Sequence, residues 1–262
     1  MTIKLKRPSA VEKLHIKRGN DVKLIRTENY AEMSLEAGKV IVDKIRSHPS
    51  LTLGFATGST PKGVYDYLIQ DHKENGTSYQ QVKSVNLDEY IGLKVQDPNS
   101  YHYFMRKNLF NHLDISENHT HIPNGAAGDL EQECLRYEQL IKELGGIDLQ
   151  LLGIGQNGHI GFNEPGTAFS SRTHIVTLAH NTREANSRFF NSLDEVPTHA
   201  ITMGIASILE SKEILLLVSG ERKAEALNKF VNGEISEEFP ASALKNHQNV
   251  TVIADREALK YI

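Results

Sequence analysis

From Val22 onward, short apolar runs alternate with stretches of helical periodicity. The apolar runs predict strands over residues 51–56, 84–87, 148–152, 174–178, 200–203, 214–218 and 250–254. Several are apolar throughout, as expected of strands buried on both faces. Spacing of three and four predicts helices over 30–45, 61–71, 100–113, 130–144, 182–190 and 221–231. Pro61 falls where a first helical turn accepts proline. This alternation predicts a mostly parallel sheet covered by helices on both faces. In such sheets ligands bind at the carboxyl ends of the strands, so the residues after each strand carry the functional information.

Composition narrows the class. The chain has 262 residues, 39% hydrophobic and 24% charged, enough for a sizeable core in a soluble domain. The formal net charge of −4 gives no electrostatic footprint for nucleic acid or an anionic membrane. An anionic ligand must then be held by a few placed cations and backbone N–H groups. Cys134 stands alone, which excludes an internal disulfide and a thiolate zinc cluster and fits a reducing compartment. The twelve His form no HxxxH or HExxH pair, and no metal is expected. No apolar run is long enough to span a bilayer.

Residues 1–21 carry Lys4, Lys6, Arg7, Lys13, Lys17 and Arg18 with weak periodicity and no apolar core. They read as a poorly ordered extension rather than a secretory signal or a nucleic-acid arm, and the expected location is the cytoplasm. Residues 22–262 read as a single α/β domain.

Three strand ends and two cations carry candidate chemistry. After the first strand comes Ala56-Thr57-Gly58-Ser59-Thr60-Pro61, then a helix. Small residues and a helix N-terminus make a phosphate cradle, although the lysine of a P-loop is missing. A capped strand–helix turn is the ordinary alternative. Next comes Asn86-Leu87-Asp88-Glu89-Tyr90, where one of two adjacent acids can face a cleft as a general base. A solvated loop acid is the alternative.

The third strand runs into Gly153-Ile154-Gly155-Gln156-Asn157-Gly158-His159-Ile160-Gly161-Phe162-Asn163-Glu164-Pro165-Gly166. The glycines spell GxGxxG, but the stretch is too rich in glycine to open a helix, and no acid follows about twenty residues on to hold a ribose. It reads instead as a loop presenting His159 beside Glu164, an acid–base pair. Arg188 and Lys223 are surface cations unless an anion partners them. Lys223 in a first helical turn opposes the helix dipole, a conflict that tends to mark a binding site.

Together with the segments around Arg188 (Asn186-Ser187-Arg188-Phe189-Phe190) and Lys223 (Gly220-Glu221-Arg222-Lys223-Ala224), these motifs resemble the glucosamine-6-phosphate deaminase (glucosamine-6-phosphate isomerase) family. The resemblance implies a Rossmann-like three-layer sandwich with a mostly parallel central sheet and a mobile lid within 174–202. It implies no cofactor and a role in amino sugar catabolism. It implies that Gly58, Ser59, Thr60, Arg188 and Lys223 hold the substrate phosphate. Asp88 would be the base at C2, and His159 would open the sugar ring with support from Glu164 and Asn157.

Two departures from the family pattern matter. An Asp stands in the enteric branch where this chain has Asn157, so Glu164 alone is expected to supply charge to His159. The allosterically activated branch carries a basic pair at the positions of His174 and Val176, so weak or absent activation is expected. The expected assembly is accordingly a monomer rather than the allosteric hexamer. Competing readings are a 6-phosphogluconolactonase on a similar fold and a non-catalytic sugar-phosphate sensor domain.

Overall fold

A computed structural model describes residues 11–17 and 19–262. Its strands are β1 (Val11–Leu14), β2 (Val22–Thr27), β3 (Thr52–Phe55), β4 (Lys83–Asn86), β5 (Asp88–Tyr90), β6 (Thr120–His121), β7 (Leu149–Gly153), β8 (His174–Thr177), β9 (His199–Thr202), β10 (Glu213–Val218) and β11 (Val250–Asp255). The α-helices are α1 (Tyr30–Ser47), α2 (Lys62–Asn75), α3 (Tyr101–Asn108), α4 (Leu130–Glu143), α5 (His180–Asn186), α6 (Ile205–Leu209) and α7 (Ala224–Asn232).

Eight strands form the main sheet in the order β1-β2-β11-β10-β7-β3-β4-β6. Every pairing in it is parallel except β1 with β2. The alternation along β10 shows how the layers arise. Ile214, Leu216 and Val218 join one apolar cluster, with residues of α4, α6 and α7. Leu215 and Leu217 join the other, with residues of α1, α2 and α3. A strand with both faces covered has no polar face, and β10 reads as a continuous apolar run for that reason.

Helix boundaries follow local chemistry. Asn29 caps α1 by accepting the Glu32 N–H at 3.0 Å, and Met33, Ala37, Ile41 and Ile45 form its buried stripe. Gly76, at φ 71°, ends α2 in the left-handed conformation. Gly54 in β3 leaves room for a neighbouring strand's side chain: a Cβ there would lie 2.0 Å from Oε1 of Gln150.

Two sequence expectations need correction. Within the extension expected to be poorly ordered, Val11–Leu14 pairs antiparallel with β2, and Ile16 is buried in the core. The Lys245 ammonium, itself buried, donates to the carbonyls of Lys17 and Gly233 and fastens this arm. The rest of that expectation, at residues 1–10 and 18, lies outside the described residues.

The other correction concerns the strands expected over 174–178 and 200–203. They do not join the parallel sheet. With Asp88–Tyr90 they form a separate antiparallel sheet, β5-β9-β8. The chain breaks at Leu87 between the two sheets, and the Leu87 N–H still reaches the Phe55 carbonyl of the main one. Asp88 therefore starts the small sheet at the tip of a main-sheet strand. Among the described residues, no helix is long and apolar enough to cross a membrane.

Candidate active site

The ends of β3, β4 and β7 and the turn after β10 open into one cleft of about 280 Å³. Gly58, Ser59, Thr60, Asp88, Asn157, His159, Arg188 and Lys223 all line it. Glu164 does not; it stands behind His159 (see below). The topology thus brings together residues from 58 to 223, as the switch-point rule for parallel sheets requires.

The cradle after β3 is built by backbone. Gly58 takes φ 92°, a conformation costly for any residue with a Cβ. Pro61 is the N-cap of α2 and supplies no side-chain cap, so the first-turn N–H groups take partners from outside the helix. The Tyr30 hydroxyl, from α1, donates to the Ser59 carbonyl at 2.9 Å and accepts the Gly63 N–H at 2.8 Å. Arg188 Nη2 donates to Ser59 Oγ across the cleft at 3.2 Å. Arg188 lies in a 3-10 turn (Ser187–Phe189) after α5, not in a continuous helix.

Lys223 closes the cation set from a 3-10 turn, Glu221–Lys223, that precedes α7. Burial pushes its ammonium down to about 8, and the Arg188 guanidinium adds repulsion. Two cations facing this helix N-terminus make a site for a dianion.

Asp88 is only 6% exposed, and its carboxylate accepts no side-chain hydrogen bond among the described residues. Burial, with the neighbouring Glu89 charge, pushes it up to about 8. Gly161 approaches it from the opposite loop: a Cβ there would sit 3.6 Å from Asp88 Oδ2 and 3.0 Å from Thr202 Oγ1. Its φ of 58° also favours glycine.

His159 lies flat over Gly155, where a Cβ would fall 2.4 Å from the ring. Its Nδ1 is 3.6 Å from Glu164 Oε2. Glu164 also accepts the Asn157 amide at 2.7 Å and the Thr182 hydroxyl. Burial alone would raise its carboxyl, but these donors together hold it below the usual carboxylate range. Asn157 also accepts the His159 backbone N–H at 3.2 Å, so it shapes the loop and the acid rather than touching the imidazole.

Sequence reasoning gave no role to Tyr101, Asn181, Thr182 or Asn186, all of which line the cleft. Tyr101 stacks on Phe162 with centroids 6.1 Å apart, and Tyr90 meets Phe190 edge-on at 5.7 Å. This aromatic cluster ties the small sheet, α3 and the Arg188 segment to the cleft. Thr182 lies in the segment expected to be helical near Arg188, but nothing in its spacing reveals contact with Glu164.

The glucosamine-6-phosphate isomerases/6-phosphogluconolactonase family model matches residues 27–253. The chain belongs to this family. Within it, the chain is 57% identical over 241 residues to glucosamine-6-phosphate deaminase of Halalkalibacterium halodurans, covering 92% of this chain and 98% of that one. It is 55% identical over 237 residues to glucosamine-6-phosphate deaminase 1 of Bacillus subtilis, covering 90% and 98%. The solved structure of a monomeric glucosamine-6-phosphate deaminase of the NagB superfamily is 54% identical, with a TM-score of 0.90 over 91% of this chain and 99% of that one. A 6-phosphogluconolactonase from Trypanosoma cruzi shares the fold at 23% identity, with a TM-score of 0.74 over 96% of this chain and 99% of that one.

Proposed function

We propose that the protein deaminates glucosamine 6-phosphate, giving fructose 6-phosphate and ammonia. The observation that carries this reading is the convergence of one buried acid, one imidazole and two cations on a single cleft. The more than half-identical deaminases support the same substrate.

The phosphate sits between the Gly58-Ser59-Thr60 turn, Arg188 and Lys223. Binding there fixes the far end of the sugar and orients C1 and C2 near Asp88. His159 moves the proton from the anomeric hydroxyl to the ring oxygen, opening the ring. Glu164 stabilises the imidazolium formed on the way, and Asn157 and Thr182 hold Glu164 in place.

Asp88 then takes the C2 proton, leaving an enolamine, and returns that proton to C1. The substrate's ammonium gives one proton to O1, so the aldehyde becomes a CH₂OH carbon and the amine-bearing carbon an iminium. Water adds to the iminium, and ammonia leaves. A carboxyl near 8 suits both halves of this transfer, because a base matched to the working pH takes and returns a proton readily.

The segment from α5 through Phe189 serves as the lid, carrying Thr182 and Arg188 onto the site when closed. The deaminase domain includes the β1 arm as well as residues 22–262, and acts as a monomer in the cytoplasm without a cofactor.

The test is ammonia release from purified protein given glucosamine 6-phosphate. Wild type should release it and Asp88→Asn should not, with turnover lower by at least about a hundredfold. Competitive inhibition by inorganic phosphate should survive in the variant. Equal turnover in the two proteins would remove Asp88 from the mechanism. No ammonia from glucosamine 6-phosphate, together with hydrolysis of 6-phosphogluconolactone to its acid, would move the protein to the other branch of the family.

A further inference from the structure

Lys223 is a half-buried cation without an acid partner among the described residues. Burial and Arg188 both disfavour its charge. A flexible lysine in that position gains by turning out to water. Something must hold the turn that carries it.

The turn begins at Ser219-Gly220, directly after β10. Gly220 takes φ 86°, and its carbonyl accepts the Lys223 N–H at 3.0 Å. The orientation of the Gly220 peptide therefore sets where Lys223 starts. Asp255, the last residue of β11 and 3% exposed, grips the peptide just before it, Ser219–Gly220, and so fixes one side of Gly220. Both its oxygens accept the Gly220 N–H, at 3.0 and 3.1 Å. It also accepts the Ser219 hydroxyl and, at 2.9 Å, the Ala258 N–H. From the same C-terminal segment, Lys260 pairs with Glu221 at 2.5 Å. The turn is clamped from behind the cleft, by a residue that does not line it.

We propose that Asp255 is a positioning residue for phosphate binding, holding the Ser219-Gly220 turn so that Lys223 stays in the cleft. This rests on the reading of Lys223 as a phosphate ligand. Asn at 255 would keep the shape but offer only one acceptor. Its amide group would face the Gly220 N–H, donor against donor, and the turn would shift.

The test measures KM and kcat for glucosamine 6-phosphate, and competitive inhibition by inorganic phosphate. The proteins are Asp255→Asn and the milder Ser219→Ala, each made in wild type and in Lys223→Ala. In wild type, Asp255→Asn should raise KM and the phosphate inhibition constant together by about tenfold, with kcat within about twofold. Ser219→Ala should do the same to a smaller extent and remains informative if Asp255→Asn fails to fold. In Lys223→Ala neither change should have a further effect, because the cation they position is gone.

Equal KM effects in both backgrounds would mean that Asp255 supports the fold only, and would overturn the proposal. A fall in kcat with unchanged KM would overturn it as well. If Lys223→Ala itself leaves KM and phosphate inhibition unchanged, the ligand reading fails and this inference falls with it.

Discussion

Asp88 and Glu89 are neighbours in the chain, yet their carboxylates serve opposite ends. Asp88 faces the cleft without a hydrogen-bond donor among the described residues. Glu89, 1% exposed, turns the other way and accepts the backbone N–H groups of Tyr90, Tyr101 and His102 at 2.8, 3.0 and 3.0 Å. The His102 ring adds a contact at 2.9 Å from Nδ1. Strand alternation separates the two side chains. The satisfied acid fixes the start of α3, and burial, with the Glu89 charge added, pushes the unsatisfied one up.

That relationship sets a pH profile. On the proposed mechanism Asp88 must be ionised in the empty enzyme, which happens above about 8, and Lys223 must stay protonated, which holds below about 8. The profile of kcat/KM should therefore be a narrow bell centred near pH 8. Lys223→Arg keeps its charge to much higher pH, so its alkaline limb should move up while the acidic limb stays. An unmoved alkaline limb would take Lys223 out of substrate binding.

Stability should respond to the same carboxyl. Folding raises Asp88 from 3.8 to about 8, so above about 4 the unfolded chain gives up a proton that the folded chain keeps. Stability from this group is present at low pH and is lost progressively up to about 8. Asp88→Asn cannot titrate, and should flatten the melting temperature against pH over that interval. A variant whose melting curve tracks wild type across the range would show that Asp88 titrates normally.

Gly155→Ala probes the placement of the imidazole without replacing it. The added methyl would collide with the His159 ring at 2.4 Å, and the ring would have to leave its place beside Glu164. Turnover of the closed-ring substrate should fall by about tenfold or more, with phosphate inhibition unchanged. Full activity in this variant would mean that the placement of His159 is unimportant.

Asn157→Asp tests the division of labour behind His159. The amide donor to Glu164 Oε2 becomes a second carboxylate, and like charges at 2.7 Å favour holding a proton between them. Activity should persist, with the acidic limb shifted to higher pH. Complete inactivation would show that the amide itself is required.

Val176 packs with Tyr90, Phe162 and Leu178 on β8, an edge strand of the small sheet. An apolar side chain held there offers nothing to a phosphate. Substrate saturation should be hyperbolic and unaffected by N-acetylglucosamine 6-phosphate. A sigmoidal curve that straightens when that compound is added would contradict this.

The sequence placed the strand runs of β7, β10 and β11 well because strands buried on two faces leave a nearly unbroken apolar signature, as in Leu215-Leu216-Leu217. It missed Val11–Leu14 because an edge strand exposed to water has no such signature, and it missed Asp88–Tyr90 because three residues are too few for a period. It paired 174–178 and 200–203 with the wrong sheet because strand order depends on contacts between distant segments, which periodicity does not record.

By itself the sequence determined the layers, the strand tips and the chemical kinds gathered there: small residues at 58–60, an acid at 88, an imidazole at 159, cations at 188 and 223. These follow from local patterns, since spacing and residue type are properties of short stretches. Only the tertiary structure decided that Asp88 faces the cleft while Glu89 anchors α3, that Thr182 reaches Glu164, and that Asp255 grips the turn before Lys223. Each of these joins elements separated along the chain or fixes the facing of one side chain, and packing alone sets such distances.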